Sequence, residues 1–298
     1  MNRRPTPPKP TIAIVGAGRL ATFLAAALHG AGFTITEIVT RDSPRSRQRA
    51  RALAAKADAQ PVTASSAVLD ATLLWLCVPD REIRGAASAL ALNLAANRAA
   101  AKQGRPRFAF HSSGALSGRE LSPLRKAGVA VASVHPLMTF VAGAHPSLTD
   151  VPFAIEGDEK AKQVAHQIVR ELGGESFTLP VAYKAAYHAW ATLTSPLLLA
   201  FLVTLEEAAR AAGLTREDAR RKSLPMIRQT LANYSRLGPA QSFSGPLIRG
   251  DVDTVATHLA ALKKHPGART IYVALARAAL RGLPVKNRDR LARLLRAP

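Results

Sequence analysis

His111, Ser112 and Ser113 stand in a row at the end of a short apolar run, in the phrase FHSSGALSG, with Gly114 directly behind them. An imidazole, two hydroxyls and a glycine amide at one strand end can hydrogen-bond a carbonyl, a carboxylate or a carboxamide and stabilise charge there. A second histidine, His135, ends the apolar phrase SVHPL, where Pro136 keeps the chain extended. A third phrase, KAAYHAWATLTS, has helical spacing. It places Lys184 and His188 one turn apart on one face, Tyr187 next to His188, and Ser195 about two turns further on. Such a face can carry a proton donor. The plain alternatives stay open: His111 hydrogen-bonded inside a core, and His188 buried where two elements meet.

Arg249 and Asp251, in SGPLIRGDVDTVATHL, are the remaining candidates. A guanidinium binds a carboxylate or phosphate bidentately, which makes Arg249 a clamp for an anionic substrate. Asp251 reads as a helix N-cap with Thr254 three residues on, or as a partner of Arg249 in an ion pair that fixes the turn. The eight histidines show neither HxH nor HExxH spacing, and one cysteine cannot build a thiolate site, so no metal is expected. No P-loop is present, and HSSGALSG has the wrong spacing for a nucleophile elbow.

Positioning these groups requires strands that end side by side. TIAIVGAG, FTITEIVT, ATLLWLCVP, RFAF, GVAVASVH, VPFAIEG and ESFTLP read as strands, the third apolar throughout as in a sheet covered on both faces. Helices alternate with them, including a basic one from about Pro44 to Ala57. This predicts a doubly wound parallel sheet up to about Pro180, followed by helical patterns only. The expected layout is a tail over residues 1–10, a nucleotide-binding domain over 11–180 and an all-helical domain over 181–298.

GAGRLA, Gly16–Ala17–Gly18–Arg19–Leu20–Ala21, follows the first strand and opens a helix, where a dinucleotide site requires it. Gly16 permits the tight turn, Gly18 lets the backbone approach a pyrophosphate, and Ala21 is the small residue where helix meets strand. The second strand ends VTRDSPRSR, without the carboxylate that would hold ribose hydroxyls: Glu37 lies too early and Asp42 follows Arg41. Thr40, Arg41, Ser43 and Arg45 suit a 2′-phosphate, which points to NADP(H); the alternative is a solvated basic helix start. Val78, Pro79 and Asp80 of CVPD should line the cofactor cleft, with Asp80 alternatively an N-cap.

The 298 residues are 48% hydrophobic, ample for about two cores. The lone Cys77 sits in LLWLCVPD as a small buried hydrophobe, and the lack of any possible disulfide fits a cytoplasmic protein. The net charge of +21 is spread over every segment without a recognition motif, so composition bias explains it better than a nucleic-acid partner. Residues 189–205 are apolar but contain Ser195-Pro196 and run into Glu206-Glu207. A core helix or dimer interface suits them better than a membrane span, and a soluble chain is expected.

In order and spacing, GAGRLA, VTRDSP, CVPD, HSSGALS, HPLMTF, AYHA and SGPLIRGDVDTVATHL resemble the Rossmann-like proteins that carry domain of unknown function 2520, described as NADP-dependent oxidoreductases. More distantly the layout is similar to pyrroline-5-carboxylate reductase, 6-phosphogluconate dehydrogenase and the β-hydroxyacid dehydrogenases. The resemblance implies a Rossmann domain, a helical domain like the 6-phosphogluconate dehydrogenase C-terminal domain that dimerises, and an active site in the cleft between them. Hydride would pass between NADP(H) and a small carbonyl, imine or hydroxyacid. Lys184 falls on the helix that carries the catalytic lysine of the β-hydroxyacid dehydrogenases, but the retained Tyr187-His188 favours His188 as proton donor. The resulting candidate set is His188, Ser113 and Lys184 for catalysis. Ser112 joins the cofactor residues, and His111, Ser113, His135, Tyr187, Ser195, Arg249 and Asp251 would contact substrate. Where the family commonly has Ser-Asn, this chain has Ser195-Pro196, which removes an amide. A catalytically silent NADP(H)-binding redox sensor is the other reading this leaves open.

Overall fold

The computed structural model describes residues 9–96, 106–141, 143–144 and 146–296; the expected tail lies outside them up to residue 8. By compactness the chain divides after Ala191. The first unit is built on one eight-stranded sheet in the order β3-β2-β1-β4-β5-β6-β7-β8. Its strands are β1 (Ile12–Val15), β2 (Ile35–Thr40), β3 (Gln60–Thr63), β4 (Leu73–Leu76), β5 (Phe108–His111), β6 (Ala130–Pro136), β7 (Pro152–Gly157) and β8 (Glu175–Thr178). The helices are α1 (Arg19–Gly30), α2 (Pro44–Ala57), α3 (Asp80–Ala96), the short α4 (Ser122–Lys126), α5 (Glu159–Glu171) and α6 (Lys184–Thr194). The last of these begins within the sheet-bearing unit, although its sequence reads as the start of the helical region.

Alternation along β1 shows why the sheet is covered on both faces. Ile12 and Ile14 pack with Leu24 of α1 and Ile168 of α5, while Ala13 and Val15 pack with Ile83 of α3 and Leu124 of α4. All pairs are parallel except β6 with β7. No helix intervenes between those two strands among the described residues, so the chain turns back instead of crossing over. β3 carries no apolar alternation, being exposed or half-exposed at the sheet edge, and the sequence pattern does not reveal it.

The second unit is helical: α7 (Pro196–Arg210), α8 (Arg216–Ser242, broken at Gly238), α9 (Pro246–Arg249), α10 (Val252–Ala261), α11 (Pro266–Gly282) and α12 (Arg288–Arg296). Its core joins Val255 and Leu259 of α10, Ala276 and Leu280 of α11, and Leu291 and Leu295 of α12. The basic C-terminal stretch is therefore an amphipathic helix rather than a mere charge cluster. Pro196 takes the first position of α7, where its missing amide costs no hydrogen bond, and this separates α6 from α7. Residues Val181–Arg210 are long and apolar enough to cross a membrane by length and composition. Within 189–205, Leu197, Leu198, Leu199 and Val203 are all exposed, so the core-helix expectation for that stretch gives way to an exposed apolar face.

Candidate functional site

The glycine loop is shaped by its neighbour strand. Gly16 has φ +110°, and a Cβ there would lie 2.5 Å from the Cys77 carbonyl oxygen and 3.2 Å from Val78, so the position admits no side chain. Gly18 caps α1 without a side-chain hydrogen bond, and the first turn of that helix holds no acidic residue. Backbone amides therefore point outward from a helix start that nothing neutralises, which suits a phosphate. A Cβ on Gly18 would meet only the Cys77 carbonyl, at 3.9 Å, so this is a cradle with room above it. Ala21 is fully buried at the strand contact. A cavity of about 620 Å3 opens beside this loop, over the ends of β1, β2 and β4. Its walls include Gly16, Ala17, Thr40, Arg41, Val78 and Pro79. The residues present fit a dinucleotide.

The proposed 2′-phosphate residues divide. Thr40 and Arg41 line the cavity, and the Arg41 guanidinium pairs with Glu82 at 3.2 Å. Ser43 and Arg45 do not line it. Ser43 caps α2 by accepting from the Ser46 amide, and its hydroxyl also donates to Ser46 Oγ. Arg49 and Arg81 line the cavity in their place. Arg49 was legible as a basic residue one helical turn beyond Arg45, but only the direction of α2 shows that it faces the glycine loop. Arg19 lies with Arg49 along a second hollow beside that loop. Glu37 is spent elsewhere: its buried carboxylate accepts from the amides of Val68 and Leu69.

From the cavity the contacts run to the HSSG turn. Ser113 Oγ donates to Asp80 at the start of α3 (2.8 Å) and accepts from the amides of Ala115 and Leu116. That hydroxyl is fully committed and holds the turn, so a catalytic or substrate-binding role for Ser113 gives way to a structural one. The Asp80 carboxylate likewise anchors the turn. Ser112 accepts from Trp75 Nε1 at 2.9 Å. His111 is completely buried: its Nδ1 accepts from the Ser113 amide and its Nε2 faces the Ser117 carbonyl. Burial pushes its pKa down to about 4. Sealed and with both nitrogens used inside the chain, His111 cannot touch a substrate, and the core alternative holds.

Gly114 brings the other two histidines together. A Cβ there would lie 2.8 Å from His135 Nε2 and 2.8 Å from His188 Cδ2, so both rings lean on this glycine. Their centroids are 6.4 Å apart. His135 Nδ1 is 2.8 Å from the Tyr187 hydroxyl. Burial, followed by the Lys184 charge, lowers the His135 pKa to about 4, and burial raises that of Tyr187 to about 12. At neutral pH a neutral phenol and a neutral imidazole therefore share this hydrogen bond through Nδ1, and Nε2 is the nitrogen beside Gly114.

Lys184 lies behind this rim, almost wholly buried. Its ammonium donates to Ser133 Oγ at 2.7 Å, and Ser133 donates to the Ser113 carbonyl. Burial lowers the lysine pKa against the opposing charges of Glu156 and Asp80. Lys184 thus braces the HSSG turn from the side of α6. Ser133 and Glu156, which accepts from the Gly118 amide, escaped the sequence reading. Their only signal is a polar residue inside an apolar strand, in VASVH and FAIEG.

Three candidates lie in the second unit. Arg249 is exposed at the end of α9, and Ser195 is exposed ahead of α7. Asp251 caps α10, its carboxylate taken by the amide (3.1 Å) and hydroxyl (2.7 Å) of Thr254 rather than by Arg249, so it acts as an N-cap and not as a substrate contact. No group of residues suited to hold a metal ion occurs among the described residues.

Strand order and glycine loop define a Rossmann-type unit. Residues 2–136 match the family described as a Rossmann-like domain, and residues 151–279 match the domain of unknown function DUF2520. Each match covers a little under half of the chain. Among solved structures the chain is similar to a candidate NADP oxidoreductase from Bacteroides fragilis, at 22% identity and a TM-score of 0.70, over 91% of this chain and 97% of that one. A protein from Thermotoga maritima matches at 24% identity and a TM-score of 0.69, over 95% and 98%. A pyrroline-5-carboxylate reductase from Coxiella burnetii matches at 14% and 0.58, over 96% and 99%. No curated protein matches the sequence.

Proposed function

We propose that the protein is an NADP(H)-dependent oxidoreductase acting on a small carbonyl, imine or hydroxyacid in the cytoplasm. One observation carries this reading: an unbroken run of contacts leads from the glycine loop to a pair of histidines. Gly16 packs on Cys77 and Val78, Asp80 two residues on from Val78 holds Ser113, and Gly114 seats His135 and His188. The names of the similar structures, a candidate NADP oxidoreductase and a pyrroline-5-carboxylate reductase, agree with it.

When bound, NADP(H) supplies the hydride or accepts it. The chain's own groups do the rest. The α1 amides and Arg49 hold phosphates, and Arg41 closes the adenosine end. His135 offers a neutral N–H to a substrate oxygen or nitrogen, and His188 exchanges the proton. Lys184, Ser133 and Asp80 keep the HSSG turn in place and touch no substrate. In the second unit Arg249 clamps a substrate anion, and the exposed apolar face of α7 pairs with the same face of a second copy. An uncovered patch of this kind does not stay in water, and every copy carries its own complement.

Fluorescence titration tests the cofactor assignment: NADPH binds more tightly than NADH, and Arg49→Ala narrows the gap. Equal affinities would remove the 2′-phosphate assignment. Screening oxo acids and cyclic imines by NADPH absorbance then finds a substrate whose turnover His188→Ala abolishes while NADPH affinity is kept. Tight NADPH binding without turnover of any of them would favour the redox-sensor reading.

A further inference from the structure

We propose that Glu82 tunes the choice between NADPH and NADH by competing with the 2′-phosphate for Arg41, an inference that rests on the dinucleotide reading above. Arg41 lies in the loop after β2 and Glu82 in the first turn of α3, and both line the 620 Å3 cavity. The ion pair between them spans two separate elements at the cavity, with the Arg41 side chain 76% exposed and that of Glu82 25% exposed. Arg41 is thus drawn toward α3 by the more sheltered partner.

Among the described residues that line the cavity, Glu82 is the single carboxylate, against three arginines, Arg41, Arg49 and Arg81. The other acids of the β2 end are occupied. Asp42 pairs with Arg47 at 2.5 Å, and Glu37 holds backbone amides in the interior. A phosphate on the adenosine ribose must therefore take Arg41 from Glu82. An unphosphorylated ribose finds in Glu82 the hydroxyl acceptor that the end of β2 lacks. Glu82 thus lowers discrimination against NADH, and Arg49, which has no carboxylate partner within hydrogen-bonding range among the described residues, supplies the standing preference for NADPH.

The test is a set of NADPH and NADH titrations, followed by fluorescence and calorimetry, on the unmodified protein, Glu82→Gln, Arg41→Ala and the double variant. Glu82→Gln should tighten NADPH binding by about fivefold, the worth of one exposed ion pair released to the phosphate, and should not tighten NADH. In the Arg41→Ala background the same change should bring no gain. The proposal fails if Glu82→Gln leaves or lowers the NADPH/NADH affinity ratio. It also fails if the gain persists without Arg41, since removal of a negative charge alone would then explain it. Absence of binding of either dinucleotide to the unmodified protein would instead remove the dinucleotide reading itself. Thermal unfolding of each variant, read alongside, separates a binding change from loss of fold.

Discussion

Gly114 shows how one residue can fix a site without a side chain of its own. The space a methyl group would need is taken by His135 Nε2 and His188 Cδ2, each 2.8 Å from it. Gly114→Ala must displace both rings, and displacements of this order cost about a hundredfold in rate where a proton and a hydride must arrive together. The expected outcome is that loss in turnover, with NADPH affinity kept and stability lowered by roughly 1–2 kcal/mol for the crowding. Unchanged turnover in a folded Gly114→Ala protein would place the chemistry away from the histidine pair. Ser113 teaches the opposite lesson. A hydroxyl in a promising motif donates once and accepts twice within its own turn and with Asp80, which leaves it nothing to offer a substrate.

At the scale of elements, β5 and β6 end beside each other, with His111 in register with Ser133. His135 lies two residues further along β6. Both histidines are held neutral, with pKa values of about 4. The unfolded chain takes up a proton on each near pH 6.5, so between about 6.5 and 4 it binds more protons than the folded chain. Stability therefore falls as the pH drops through that window. The steepest contribution of the sealed His111 is roughly 1.4 kcal/mol per pH unit. Denaturant unfolding at successive pH values should show this slope, and His111→Gln should flatten it. An equal slope in that variant would show that other groups titrate. Lys184 links these strand ends to α6, which explains why the helix begins within the sheet-bearing unit although its sequence is purely helical.

At the scale of the whole molecule, the two units have unlike surfaces. The sheet-bearing unit buries most of its large hydrophobics between sheet and helices, whereas the helical unit leaves Leu197, Leu199, Val203, Met226 and Leu231 exposed. Apolar area on this scale needs cover, which is the ground for the dimer proposed above. Light scattering at micromolar concentration is expected to give twice the mass of one chain. Leu199→Glu with Val203→Glu should shift the protein to the mass of one chain. A single-chain mass for the unmodified protein would refute the dimer.

Periodicity alone determined seven of the eight strands and the long helices, because apolar alternation and helical spacing are local properties that burial on a sheet imposes on the sequence. Gly16 and Ala21 were readable for the same reason: a tight turn and a close helix–strand contact each tolerate few residue types. The edge strand β3, half out of the core, carries no such pattern, and the reversal of β7 depends on a connection without a helix. Only the tertiary structure decided which polar groups are free. Ser113, His111 and Asp251 look chemical in sequence but spend their hydrogen bonds at home, on partners fixed by how the chain turns. Arg49, Glu82 and Ser133 look incidental, yet the course of α2, α3 and β6 brings them to a cavity or a buried lysine. Spacing along a chain says which groups share an element. Whether a donor remains unspent depends on the three-dimensional neighbours that reach it first.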